Sequence, residues 1–286
     1  MSSQVLPAQQ SSGWLARLDI EIVRRGARCE LGRREHVGPL RLQRPFYPEG
    51  DAVPHLYLLH PPGGLVGGDR AEIELCVRSA AQVLVTTPAA QKVYRSAGAQ
   101  STQRVVIQLA EGAAAEWLPA ETIVFDGARA ALRTAVELAP SAAFIGWEVG
   151  CFGRPASGIA FARGQLRQSF ELRRAGAPLL LDRLHVDGGS DALGAAWGHA
   201  GLPVFGNLYA VPRENAGIPA MVERLRSAVE ADPCVRWAVS DLEELLVARA
   251  LAPSVEALRV LFARLWTELR PLVLGRAAQA PRIWAT

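Results

Sequence analysis

The sequence predicts a mainly β fold with α-helices near the C-terminus. Three observations carry that prediction. Apolar and polar residues alternate over short runs through most of the chain, Gly and Pro interrupt those runs about every ten to fifteen residues, and the apolar spacing changes to three and four after about residue 216. The chain has 286 residues, 50% of them hydrophobic, so it can bury a sizeable core and is not a disordered polymer. Charged residues make up 21%, with a formal net charge of +3. The pI of 8.9 therefore reflects a diffuse surplus, without the concentrated basic surface of a dedicated nucleic-acid binder.

The elements follow in chain order. Residues 1 to 13 are polar and rich in Ser and Gln, lack the apolar stretch of a secretory signal, and read as a disordered tail. Residues 14 to 286 read as a single domain, with a β portion over about 14 to 215 and a helix-containing portion over about 216 to 286. Ala71, Ile73, Leu75 and Val77 alternate with Glu72, Glu74, Cys76 and Arg78, the pattern of a half-buried strand. Leu132 to Leu138 and Leu166 to Leu172 repeat it. Ala192 to Pro212 has no charged side chain, but its glycines, Pro203 and His199 make it buried strand and turn rather than a membrane span. Ile218, Met221, Val222, Leu225 and Val229 share one face of a helix opened by Pro219 and closed before Pro233. Residues 242 to 252 fit either a strand or a helix. A final helix has Ser254 as N-cap, an apolar stripe from Val255 to Leu269, and Pro271 at its end.

The chemistry legible in the residues is mostly negative. Cys29, Cys76, Cys151 and Cys234 stand far apart with no CxxC pair, which excludes a zinc ribbon and a disulfide framework and fits a reducing compartment. In HPPGGLVGGD (60 to 69), Gly63 and Gly68 have the spacing of a phosphate loop, but Asp69 and Arg70 stand where Lys and Ser or Thr are needed. The glycines instead call for positive φ or close backbone approach. In TTPAAQKVYRS (86 to 96), a strand end is expected to pass into a short helical turn capped by Thr87. Lys92, the only lysine, has no partner carboxylate beside it in sequence. No GxSxG elbow and no His-based metal spacing occur. Asp69, Glu121, Asp126 and Glu148 lie in apolar or aromatic surroundings, as hydrogen-bonded structural acids or as the lining of a polar passage for a cation.

Five segments in order, HPPGGLVGGD (60 to 69), TTPAAQKVYRS (86 to 96), EWLPAETIVFDGA (116 to 128), GWEVGCFGR (146 to 154) and RPLVLGRAAQAPRIWAT (270 to 286), resemble the UreD (UreH) family of urease accessory proteins. GPLRLQRPFYPEG (38 to 50) extends the likeness to nearly the whole chain. The motif positions are His60, Gly63, Gly64, Gly67, Gly68, Thr86, Thr87, Lys92, Tyr94, Trp117, Trp147, Gly153 and Arg154. The resemblance implies stacked strands in the manner of a right-handed β-helix. It also implies a non-enzymatic cytoplasmic scaffold that joins UreF and the GTPase UreG on apo-urease and helps insert nickel into it.

In that reading no cofactor is tightly bound. Nickel passes through transiently, with Asp69, Glu121, Asp126 and Glu148 as candidate path residues, and neither nucleic acid nor membrane is a partner. Trp266, Ile283 and Trp284 are placed at the UreF contact, since apolar chain ends often dock on a helix bundle. A mean hydropathy of +0.11 suggests poor solubility until a partner covers an apolar face. A stand-alone β-helix enzyme acting on carbohydrate is the alternative from another class, and it would need two carboxylates brought to a defined separation.

Overall fold

The computed structural model describes residues 13–213 and 217–285. The expected tail lies outside the described residues except for Gly13. Gly13 belongs to the fold: a β-carbon there would lie 1.9 Å from the carbonyl carbon of Gly68.

The chain opens with a hairpin of β1 (Leu15–Arg25) and β2 (Arg28–Val37), followed by the short β3 (Arg41–Leu42). It then winds as a β-solenoid of about four turns. The first coil is β4 (His55–Leu59), β5 (Gly64–Leu65) and β6 (Arg70–Val77); the second is β7 (Gln82–Thr86), β8 (Gln91–Val93) and β9 (Ser101–Leu109). The third is β10 (Ala114–Leu118), β11 (Thr122–Val124) and β12 (Arg129–Leu138), and the fourth is β13 (Ala143–Phe152) and β14 (Gln165–Arg174). Afterwards come β15 (Ala177–Asp187), α1 (Asp191–Gly194), β16 (Val204–Val211), α2 (Ile218–Ala228), β17 (Arg236–Leu242), β18 (Leu245–Ala252) and α3 (Val255–Leu274).

Stacking the coils gives three walls. The first is a seven-stranded sheet in the order β15-β14-β12-β9-β6-β1-β2, parallel in its middle and closed at each end by an antiparallel strand. The second follows the path β17-β18-β16-β13-β10-β7-β4-β3. A narrow third wall pairs β5, β8, β11 and the last residues of β13 in parallel. Parallel rungs suit this arrangement because each coil can bury its apolar side only against the next.

The first wall faces the interior with Ile73, Leu75, Val105, Ile107, Val136, Phe170 and Leu172, while its other side is solvated. That one-sided burial is why its strands alternate so plainly in sequence. The second wall is covered on its outer side by α3, which packs on β13, β16 and β18 through Leu258, Leu261, Phe262, Leu265 and Leu269. Both of its faces are therefore hidden, and strands such as Ala114–Leu118 are buried at every position.

This double burial resolves residues 242 to 252. They form the end of β17, a turn, and β18, a central strand between β16 and β17. Two departures from the sequence reading are corrections. Residues 87 to 90 form a bend, not a helical turn, before β8. Gln91–Val93 is hydrogen-bonded between the rungs on either side, and the Thr87 hydroxyl takes the Ala120 amide at 2.9 Å. The final helix also continues past Pro271 to Leu274 and ends on Gly275 at φ 67°. Proline in the last turn forfeits one hydrogen bond, and burial of Arg270 and Val273 holds the turn in place. The Ser254 hydroxyl accepts from the Ala257 amide at 3.2 Å, as an N-cap does. Among the described residues no helix is long and apolar enough to cross a membrane.

Candidate functional site

The solenoid interior is apolar at one end and hollow at the other. A cavity of about 280 Å³ lies between the walls, bounded by Trp117, Leu132 and Ile73 and reached by His60, Gln91, Gln103, Thr134, Gln168 and Glu148. Beyond the rung at residues 119 and 120, a groove of about 490 Å³ runs between that rung and α3, with Glu121, Glu256, Trp147 and Trp284 along it. Cavity and groove share Thr87, Pro119, Ala120 and Val149, so a partition built around the rung at Pro119 and Ala120, with one residue from the coil on either side, separates them.

Glu148 is the central group of the cavity. It points inward from β13, while Trp147 before it faces α3, donates to Pro119 O at 2.8 Å and packs 5.9 Å from Phe262. Thr134 Oγ1 donates to Glu148 Oε1 at 2.7 Å and Gln168 Nε2 donates to Oε2 at 2.6 Å. Both donors come from the opposite wall and both are neutral. Burial pushes the Glu148 carboxyl up to about 7, because the two hydrogen bonds only partly offset the lost solvation.

Three buried polar atoms along the cavity and groove have no hydrogen-bond partner: His60 Nδ1, Gln91 Nε2 and Glu121 Oε2. Burial also lowers the His60 imidazole, which favours its neutral form. Unsatisfied buried groups of this kind are costly, so a hydrated or ionic guest that satisfied them would be stabilised there. Among the described residues no three His, Cys, Asp or Glu side chains converge as a preformed metal cluster.

A second buried charged group stands apart from the cavity. Arg270, wholly buried on α3, meets Glu116 through Nε and Nη2 at 3.0 to 3.1 Å and Glu49 through Nη1 and Nη2 at 2.7 and 2.6 Å. Trp266 Nε1 donates to Glu116 at 2.6 Å, and His55 Nε2 lies 2.7 Å from Glu49. Burial acts to lower the guanidinium, but hydrogen bonds to Glu49 and the charge of Glu116 hold it above its ordinary value. This hub clamps the last helix onto the solenoid. Sequence gave no sign of it, since Arg270 and Glu49 are 221 positions apart.

The four acids considered as path residues separate into two pairs. Glu148 lines the cavity and Glu121 lines the groove. Asp69 and Asp126 line neither space. Asp69 accepts from the Trp14 and Val66 amides, each at 2.8 Å. Asp126 accepts from the Ala162 and Arg163 amides and from the Arg163 guanidinium, whose hydrogen bond holds it below the usual carboxylate range.

At the C-terminus, Trp266 is 1% exposed and belongs to the core, so it is not a contact surface as the sequence suggested. Ile283 and Trp284 are half-buried in a short 3-10 turn, Arg282–Ala285. Trp284 stacks near Trp147 at 5.4 Å and donates to Thr86 Oγ1 at 3.2 Å, while Thr86 donates to Leu118 O. Gly63 and Gly68 have the positive φ expected of them, 73° and 94°. At Gly64 and Gly67 a β-carbon would collide with Lys92 and Ser96. Gly153, at φ 73°, leaves room for the Ile159 carbonyl.

A family model described as UreD urease accessory protein matches residues 15–285. The urease accessory protein UreD of Azoarcus sp. (strain BH72) is 45% identical over 96% of this chain and 95% of its own length. That of Dechloromonas aromatica (strain RCB) is 43% identical over 97% and 96%, and that of Pseudomonas entomophila (strain L48) is 40% identical over 100% and 99%. With the solenoid formed, four of the motifs placed on its successive coils and the fifth at the end of α3, the chain belongs to the UreD family of urease accessory proteins.

Proposed function

We propose that this chain is a non-catalytic maturation factor for urease, and that its hollow solenoid end passes nickel as cargo toward the apo-enzyme. The observation that carries the reading is the cavity's own chemistry: one half-buried carboxylate held by neutral donors, near unpartnered imidazole, amide and carboxylate atoms. A carboxyl raised to about 7 is partly ionised near neutrality, so it attracts a divalent cation and also releases it. Scattered oxygen and nitrogen ligands that never converge in one cluster suit a route better than a store. The groove with Glu121 and Glu256 continues the same chemistry past the shared rung.

In this reading the chain works with UreF and the GTPase UreG in the cytoplasm, and nucleotide hydrolysis belongs to UreG. The half-buried Ile283 and Trp284, the latter lining the groove, are the segment assigned to the UreF contact in this reading. Glu148→Ala and Glu121→Ala should each lower nickel-dependent urease activation while the accessory complex still assembles, read by activity and co-purification. Unchanged activation in both variants would leave those acids structural and remove the passage.

A further inference from the structure

The inner side of the third wall gives Gln91 to the cavity, while most of the sequence motifs converge on the wall itself. Coil by coil it presents glycines beneath large side chains of the second coil. A β-carbon at Gly64 would lie 2.6 Å from the Tyr94 ring and 2.9 Å from Lys92 Cβ, and one at Gly127 would lie 2.8 Å from Arg95 Cγ. The glycines therefore serve as beds on which Lys92, Tyr94 and Arg95 are laid. Tyr94 meets Phe125 edge to face at 5.1 Å, and the Arg154 guanidinium sits 5.1 Å from the centre of the Phe125 ring. The result is a narrow platform of three cations around an aromatic pair.

Its charge is uncompensated within the chain. On the solvated side of the first wall several arginines meet carboxylates, Arg17 with Asp19 at 3.0 Å, Arg78 with Glu21 at 2.5 Å and Arg133 with Glu171 at 2.9 Å. Among the described residues, Lys92, Arg95 and Arg154 enter no ion pair. The acids close by, Asp69 and Asp126, are already committed to backbone amides and to Arg163. Residues 1 to 12 hold no carboxylate, and a second copy of a chain with net charge +3 brings no net negative charge. Three neighbouring cations without ion pairs, one of them over an aromatic ring, fit an acidic protein surface, which supplies both carboxylates and exclusion of water.

We propose that this platform is where an acidic face of the urease apoprotein docks. The assignment rests on the maturation role above, since urease is the one partner that the family description names. It adds which wall makes the contact, leaving the α3-covered second wall for other partners.

The test uses the full-length chain and purified apo-urease. The triple variant Lys92→Glu, Arg95→Glu, Arg154→Glu should bind apo-urease at least about ten-fold more weakly than wild type at about 50 mM salt, and the difference should shrink at about 500 mM. A neutral set, Lys92→Met, Arg95→Gln, Arg154→Gln, should give an intermediate loss and serves where the reversed set does not fold. Equal binding by wild type and a folded variant overturns the platform while leaving the maturation role standing. Loss of heparin binding with unchanged apo-urease binding would make it a polyanion site and also overturns it. Absence of binding by wild type itself contradicts the maturation role and removes the platform's partner with it.

Discussion

Glu116, fully buried, and Glu148, half-buried at the cavity, are both carboxylates on the second wall, one on β10 and the other on the adjacent β13, and their settings are opposite. Glu116 is gripped by Arg270 and Trp266 in a closed core, whereas Glu148 faces a cavity with only a hydroxyl and an amide to hold it. Burial pushes both carboxyls up, but at Glu116 the guanidinium and indole pull back against it. The difference separates structure from function by chemistry alone. A charge answered by a fixed counter-charge holds the fold together, and a charge answered by neutral donors in a hollow remains free to meet a cation.

The comparison can be broken at three points. The largest effect is expected for Arg270→Ala, which would leave Glu116 and Glu49 buried without their shared counter-charge. Loss of a partner from such a group costs about 3 to 5 kcal/mol, and urea unfolding should show it. A loss below about 1 kcal/mol would mean the hub opens to water and is no clamp.

Glu148→Gln should act in the opposite sense above neutrality. With the carboxyl raised from 4.5 to about 7, the folded chain keeps a proton in that window that the unfolded chain has released. Stability contributed by Glu148 is therefore full below about pH 4.5, falls as pH rises to about 7, and levels off above it. The whole decrement is about 3 kcal/mol, from 1.36 kcal/mol per unit. The Gln variant should lose this slope and become the more stable protein at pH 8. Persistence of the slope in the variant would assign it to another group.

The smallest effect sharpens the same point. Thr134→Val removes one donor that lowers the Glu148 carboxyl, so the upper end of the window should move above 7, at a cost of about 1 kcal/mol. The Arg270 hub should be untouched, and an unchanged pH profile would show that the hydroxyl does not reach Glu148.

How much of this was legible in sequence depended on which faces of a strand are buried. Ala71 to Val77 and Leu132 to Leu138 alternate because one side of the first wall is solvated. Residues 245 to 252 did not declare themselves because β18 is hidden on both sides, where alternation vanishes. The C-terminal helices were clear from their stripes, and only the continuation past Pro271 was missed.

Site chemistry was legible as residue type and not as place. Glu148 and Asp126 look alike in sequence, each following an aromatic residue, yet one enters the hollow and the other caps backbone amides. Thr134 and Gln168 read only as polar residues on the apolar face of their strands, since stacking of coils is what brings them to Glu148. Trp266 read as a contact residue because an apolar helix stripe looks the same whether it meets its own sheet or a partner.

The most direct measurement plugs the route without touching any acid. Ala120 lines both the cavity and the groove, so Ala120→Trp fills the rung between them. With UreF, UreG and apo-urease still co-purifying with the variant, nickel-dependent urease activation should fall at least about ten-fold, well beyond what a surface substitution produces. Activation equal to wild type in that assembled complex would contradict the passage.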